Sequence, residues 1–266
     1  MAQGVVPIPG GVAVPATDRL YVSGADGGLE VLDAATGTLL GHADVDAVPI
    51  TAAGTDVVAV RAPTADDPGE IVLVDVRGDD PAVRWRTPLI EAAGHADIAQ
   101  GLTHVDIGAD VDDTVIRVVA DAHARYRGGA HASDERIEAA RRDDRHVVVV
   151  DRGSGEVVER TSTAANGTAQ AAPRPGDRGV RPTRDVSTWE VVDEDLDQAV
   201  ADVTLDAGTD AAALVGDTVV YRVNEPTADG ASVRHTLRSR AIDSDADTWT
   251  HPLGETRQAP RPPLPP

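Results

Sequence analysis

The sequence predicts an all-β chain assembled from a repeated unit of four short antiparallel strands. Three observations carry that reading. Aromatic residues make up only 2% of the 266 residues, and phenylalanine is absent, so valine and leucine must supply the core. Valine suits a pleated surface and loses rotamer freedom in a helix. Four segments then repeat one order: an apolar run, a turn with aspartate, a valine-rich strand, and a second strand ending in another aspartate. Where clearest, a glycine-containing connection follows that second aspartate, as a tight hairpin requires.

In the first unit, near residues 12–41, Asp18 leads into Leu20-Tyr21-Val22, and the strand from Leu29 ends at Asp33. Ala34-Ala35-Thr36-Gly37 then connects to an outer strand at Leu39-Leu40. The second unit, near 49–89, places Asp56 before Val57–Val60 and ends Ile71–Val74 at Asp75. Its outer strand is Val83-Arg84-Trp85. The third, near 102–160, has Asp113 before Val115–Val118, and Val147–Val150 ending at Asp151. Arg152-Gly153-Ser154-Gly155 leads on to Val157-Val158. The fourth, near 211–253, has Asp217 before Val219-Val220-Tyr221, a strand ending at Asp243, and Thr248-Trp249 outside it. Aspartate suits such turns because its carboxylate caps the local backbone.

Four short antiparallel strands per repeat are the signature of a propeller blade. The expected fold is therefore a β-propeller-like array of about four recognisable units, one domain over residues 1–259. A closed ring normally needs more blades, and an open array leaves sheet edges unprotected, so an incomplete propeller stays among the readings. Weaker units are sought near Gly101–Ile107 and around Val186–Val192, beside Trp189.

The paired aspartates lie 15, 19, 38 and 26 residues apart, so the third and fourth units carry insertions. The insertion at 122–144 holds Arg125, Arg127, Arg136, Arg141 and Arg142, which are candidate partner-binding residues. Ser133–Arg142 is expected to form a short helix with Ser133 as its N-cap. Residues 164–184, rich in Gly, Pro, Ala and Thr, read as a loop. Residues 260–266 carry five prolines and read as an extended tail.

Asp18 to Gly41, DRLYVSGADGGLEVLDAATGTLLG, resembles the repeat of the pyrroloquinoline-quinone-like (quinoprotein-like) β-propellers. Tyr21-Val22, Asp26-Gly27, Leu29–Asp33 and Thr36-Gly37 carry the likeness. Trp85 and Trp249 stand where that family places a docking tryptophan. The resemblance implies a propeller and an extracytoplasmic location. It also implies either a non-catalytic scaffold or a quinone-dependent dehydrogenase. The dehydrogenases are typically eight-bladed and often carry a vicinal disulfide, whereas this chain has no cysteine. A WD-repeat reading ranks lower: Gly-His-Ala-Asp occurs at 41–44 and 94–97, but no Trp-Asp ending matches it.

Charge narrows the partners. With 45 acids against 24 bases the net charge is −21, which repels nucleic-acid phosphates and anionic membranes. All the bases are arginine, and aspartate outnumbers glutamate 34 to 11. GC-rich codon usage explains the missing lysine and phenylalanine, and halophilic adaptation is the second explanation. Apolar runs are too short to span a bilayer, and no signal peptide is apparent.

No metal, cofactor or catalytic residue is expected. The acidic runs Asp193–Asp197 and Asp243–Asp247 fail the EF-hand pattern, lacking its glycine and terminal glutamate. The eight histidines form no His-Glu-x-x-His, and no nucleophile elbow or phosphate loop occurs. The expected function is a non-enzymatic binding or scaffold protein with a protein partner. The alternatives are a quinone- or metal-dependent oxidoreductase using a propeller channel, and a truncated fragment of a longer membrane-anchored propeller.

Overall fold

The computed structural model describes residues 5–63, 67–77, 81–90, 103–124, 144–164, 178–183, 185, 187–193 and 198–257. Among these, the fold is all-β and propeller-like: five antiparallel sheets, each a meander of chain-consecutive strands. The first sheet holds Val6–Ile8 (β1), Gly11–Val14 (β2), Arg19–Ser23 (β3), Leu29–Asp33 (β4) and Leu39–Ala43 (β5). The second holds Val48–Ala53 (β6), Asp56–Arg61 (β7), Glu70–Asp75 (β8) and Ala82–Pro88 (β9). The third holds Thr103–Val111 (β10), Val115–Ala124 (β11), Asp144–Asp151 (β12) and Val157–Ala164 (β13). The fourth has three strands, Arg178–Pro182 (β14), Thr188–Asp193 (β15) and Gln198–Thr204 (β16). The fifth holds Thr209–Val215 (β17), Thr218–Pro226 (β18), Ser232–Ala241 (β19) and Asp247–Arg257 (β20).

The fourth sheet contains Trp189, beside which the sequence offers a weaker unit. Its strand β14 falls inside the stretch read as a loop, 164–184. Strands β11 and β12 reach Ala124 and Asp144, so the arginine-rich insertion shortens to residues 125–143. Arg125, Arg127, Arg136, Arg141 and Arg142, the helix expected at Ser133–Arg142 and the tail 260–266 lie outside the described residues.

The middle strands explain the valine content. In β7 the residues Asp56 to Val60 are all buried, as are Ile71 to Val74 in β8. Such strands read as unbroken apolar runs because both faces are covered. Each fully buried valine or leucine contributes roughly 1.5–3 kcal/mol. The outer strands behave differently. A register shift inserts one extra residue, Arg84 in β9, Val158 in β13, Val200 in β16 and Thr248 in β20, opposite the partner strand. Bulges of this kind twist an edge strand and discourage further pairing.

The chain divides into two compact units, residues 41–172, and residues 1–40 with 173–266. Within the first of these, a core of Val58, Val60, Ile71, Leu73, Ile116, Val118, Val148 and Val150 joins the second and third sheets. Within the other, Leu20, Val22 and Leu32 pack with Val220, Leu237 and Trp249, joining the first and fifth sheets. A second cluster there joins the fourth and fifth sheets through Trp189, Val191, Val203, Val219 and Tyr221.

Candidate functional site

The best-defined polar arrangements in this chain are the joints between sheets. Two joints, one in each compact unit, share a geometry. Trp85 Nε1 donates to the Arg152 carbonyl at 3.0 Å, and Trp249 Nε1 donates to the Ala34 carbonyl at 2.9 Å. Each acceptor immediately follows the aspartate that ends an inner strand, Asp151 or Asp33.

Local chemistry shapes the turn that receives each ring. Asp33 Oδ1 accepts from the Ala35 and Thr36 backbone and from the Thr36 hydroxyl. Asp151 Oδ1 accepts from Ser154 N–H at 2.8 Å and from its hydroxyl at 2.9 Å. Gly37 and Gly155 then close the turns with N–H bonds of 2.8 Å to the Asp33 and Asp151 carbonyls. Both glycines have positive φ, 66° and 76°, and the indole lies against them. A Cβ on Gly155 would sit 2.6 Å from the Trp85 ring. Gly155→Ala is therefore expected to cost more than the ~1 kcal/mol of an unfavourable φ alone, because the ring must also shift. Urea unfolding of the variant checks this, and an unchanged midpoint would contradict it.

The same hydrogen bonds hold Asp33 and Asp151 below the usual carboxylate pKa, from the Thr36 hydroxyl in the first case and the Ser154 N–H in the second. Asp112 is lowered likewise by the Val115 and Thr114 N–H groups, and Asp75 by its hydrogen bond with Arg77. Depressed folded values stabilise the fold above the unfolded carboxylate pKa of ~3.9, and that stability is lost as pH falls through the folded values. Unfolding midpoints should hold steady above pH ~5 and decline below pH ~4. A variant with Asp33→Asn and Asp151→Asn should show a shallower decline; an identical slope would remove these turns as its cause.

A charged network accompanies the joint of the second and third sheets. Asp56, only 4% exposed, receives Arg152 Nη2 at 2.9 Å and Arg84 Nη1 at 3.3 Å. Arg152 also donates to the carbonyls of Ala53 and Asp112, and Arg84 to Asp75 at 3.1 Å. The joint of the fourth and fifth sheets uses no tryptophan ring on its outer strand. There Arg240, buried, donates to the Thr204 carbonyl, to Asp206 at 3.1 Å and to Asp247 at 2.8 Å. Tyr221 donates its hydroxyl to Asp247 at 2.5 Å, and the Arg240 guanidinium lies 5.5 Å from the phenol ring centre. Burial, then the Asp247 bond, pushes the Tyr221 phenol up. Arg238 bridges Asp206 and Glu225.

Register revises part of the repeat alignment. The residue after each inner strand donates its N–H to the turn preceding the other inner strand: Ala34 to Asp18, Val76 to Thr55, Arg152 to Thr114, Ile242 to Asp217. Asp18 and Asp217 are thus equivalent, while Asp56 lies one position later and Asp113 one earlier. Among the closing aspartates, Asp33, Asp75 and Asp151 face Arg19, Asp56 and Val115, and the corresponding partner of Thr218 is Ala241. Asp243 therefore sits two residues past that position, exposed in the turn. Asp18 caps a short 3-10 turn in the left-handed conformation, φ 52°.

Sequence reasoning missed Arg84, Arg152, Arg240, Asp206 and Asp247. The one usable signal was Arg240, an arginine at the place held by Val74 and Val150 in other units. Among the described residues no group of three or more histidine or acidic side chains is placed to hold a metal ion. No described helix is long and apolar enough to cross a membrane.

No family profile matches the chain, and no curated protein matches it. Several solved structures do. BamB from Moraxella catarrhalis is 10% identical over 91% of this chain and 73% of its own, with a TM-score of 0.30. The Dos1 propeller is 11% identical over 91% of this chain and 56% of its own, TM-score 0.35. Quinohemoprotein alcohol dehydrogenase from Comamonas testosteroni is 11% identical over 89% and 52%, TM-score 0.33. This chain thus spans just over half the length of the last two. At such scores the fold reading rests on sheet order and register.

Proposed function

We propose that this chain is a non-enzymatic binding or scaffold module on a quinoprotein-like β-propeller frame, with a protein as its partner. The observation that supports the reading is a recurring apolar position. Leu39 and Leu40 in β5, Val83 in β9, Val157 and Val158 in β13, and Val200 in β16 are between 37% and 63% exposed. All lie at the start of the last strand in their sheets, beside the connecting turn. A partner docks its apolar side chains against this exposed position, while the bulges at Val158 and Val200 keep the backbone edge from pairing further. The arginine-rich stretch, with Arg125, Arg127, Arg136, Arg141 and Arg142, is the proposed second contact. An extracytoplasmic setting accompanies the family resemblance.

The test compares proteins that co-purify with the full chain and with a Leu40→Lys, Val158→Lys variant of unchanged circular dichroism. Loss of specific partners from the variant is expected. An identical set from both would sink the edge-strand role, and deleting residues 125–143 without change would sink the loop's role. Adding pyrroloquinoline quinone with calcium is expected to leave the visible spectrum unaltered and to produce no dye reduction. Spectral change with dye reduction would instead establish the oxidoreductase alternative.

A further inference from the structure

One row of polar side chains crosses three strands of the fifth sheet, from Asn224 on β18 to Thr256 on β20. Asn224 Oδ1 lies 2.7 Å from His235 Nδ1 on β19. His235 Nε2 lies 2.9 Å from Thr256 Oγ1 on β20, and Thr256 is exposed.

Donor and acceptor roles follow from the amide oxygen that faces the ring. The Asn224 oxygen can only accept, so the proton of a neutral His235 sits on Nδ1. Nε2 then presents its lone pair to the Thr256 hydroxyl. A hydroxyl donating to an imidazole whose far nitrogen is fixed by a third group is the arrangement that activates a nucleophile.

We infer that Thr256 is a nucleophilic hydroxyl, deprotonated by His235, that accepts acyl groups from activated esters and thioesters. Thr256 Oγ attacks the acyl carbonyl carbon, and its proton passes to His235 Nε2. The bond from that carbon to the leaving oxygen or sulfur breaks, and the leaving group takes the proton from Nε2. The products are acyl-Thr256 and the free alcohol or thiol, with no oxidant or further reactant. Asn224 is a positioning residue, since it touches only the imidazole. This reactivity is independent of the binding role proposed above.

Composition makes the test clean, because the chain has no lysine and no cysteine to compete for the label. The folded chain is treated with 4-nitrophenyl acetate, and acetylation is read by peptide mapping. Thr248 and Thr250, exposed on the same strand, serve as internal controls. Thr256 is expected to acetylate ~100-fold faster than either, the scale of general-base assistance. His235→Gln should remove that excess, and added imidazole should restore part of it to His235→Ala. Asn224→Asp, which keeps an oxygen facing Nδ1, should retain the excess, and Asn224→Ala should lose most of it. Equal labelling of Thr256, Thr248 and Thr250 in the wild-type chain would overturn the inference without any variant. So would labelling of Thr256 that His235→Gln leaves unchanged in a folded protein.

Discussion

Replacing Trp249 with alanine is expected to destabilise its unit by about 3–5 kcal/mol, the usual range for emptying a large aromatic site. Trp249 is 7% exposed, and its ring packs with Leu20, Val22, Leu32, Val220 and Leu237. Its N–H holds the Ala34 carbonyl across 215 residues of sequence. Collapse around the vacancy is limited, because the Thr36-Gly37 turn is locked to Asp33 by three hydrogen bonds. Trp249→Phe separates the two contributions. It keeps most of the apolar area and loses the indole bond, so about 1 kcal/mol plus a small packing loss is expected. Urea unfolding followed by circular dichroism measures both variants. A loss below ~1 kcal/mol for the alanine variant would mean that the joint is held elsewhere.

Asp56→Ala is the second large effect, expected at about 3 kcal/mol. Removing one member of a buried ion pair leaves the other charge uncompensated, a change that typically costs 3–5 kcal/mol. The lower end applies because Arg84 and Arg152 retain 32% and 22% side-chain exposure and their other acceptors. Asp56→Asn, which keeps an acceptor oxygen, should cost distinctly less. Arg152→Ala should lie between them, since Arg84 still pairs with Asp56. If all three variants unfold at one midpoint, the network contributes packing and not charge pairing.

Strand identity was largely legible in the sequence, and the physical reason is local. Runs such as Val57–Val60 and Val147–Val150 are valine-rich, bounded by turn residues and too short for helices. The turns at Asp33 and Asp151 were legible too, because a carboxylate followed by Thr or Ser and then Gly closes on its own backbone. The set Asp18, Asp56, Asp113 and Asp217 was not, for the opposite reason. An aspartate at either of two adjacent turn positions satisfies the same local chemistry, so the spacing of letters does not reveal strand register. The fourth sheet was legible only around Trp189 in β15, because β14, Arg-Gly-Val-Arg-Pro, lies at the end of a Gly- and Pro-rich stretch.

The sequence by itself determined that this protein is all-β, with short valine-rich strands joined by aspartate- and glycine-bearing turns. Those properties depend on residues within a few places of one another. Only the tertiary structure decided that Asp56 is a buried anchor while Asp113 and Asp243 sit in exposed turns. It also decided that Arg240 reaches the Thr204 carbonyl and Asp206 at the joint whose outer strand carries no tryptophan, and that Asn224, His235 and Thr256 form one directed row. Those outcomes depend on which strands face each other and in what register, and contacts across tens to hundreds of residues decide that.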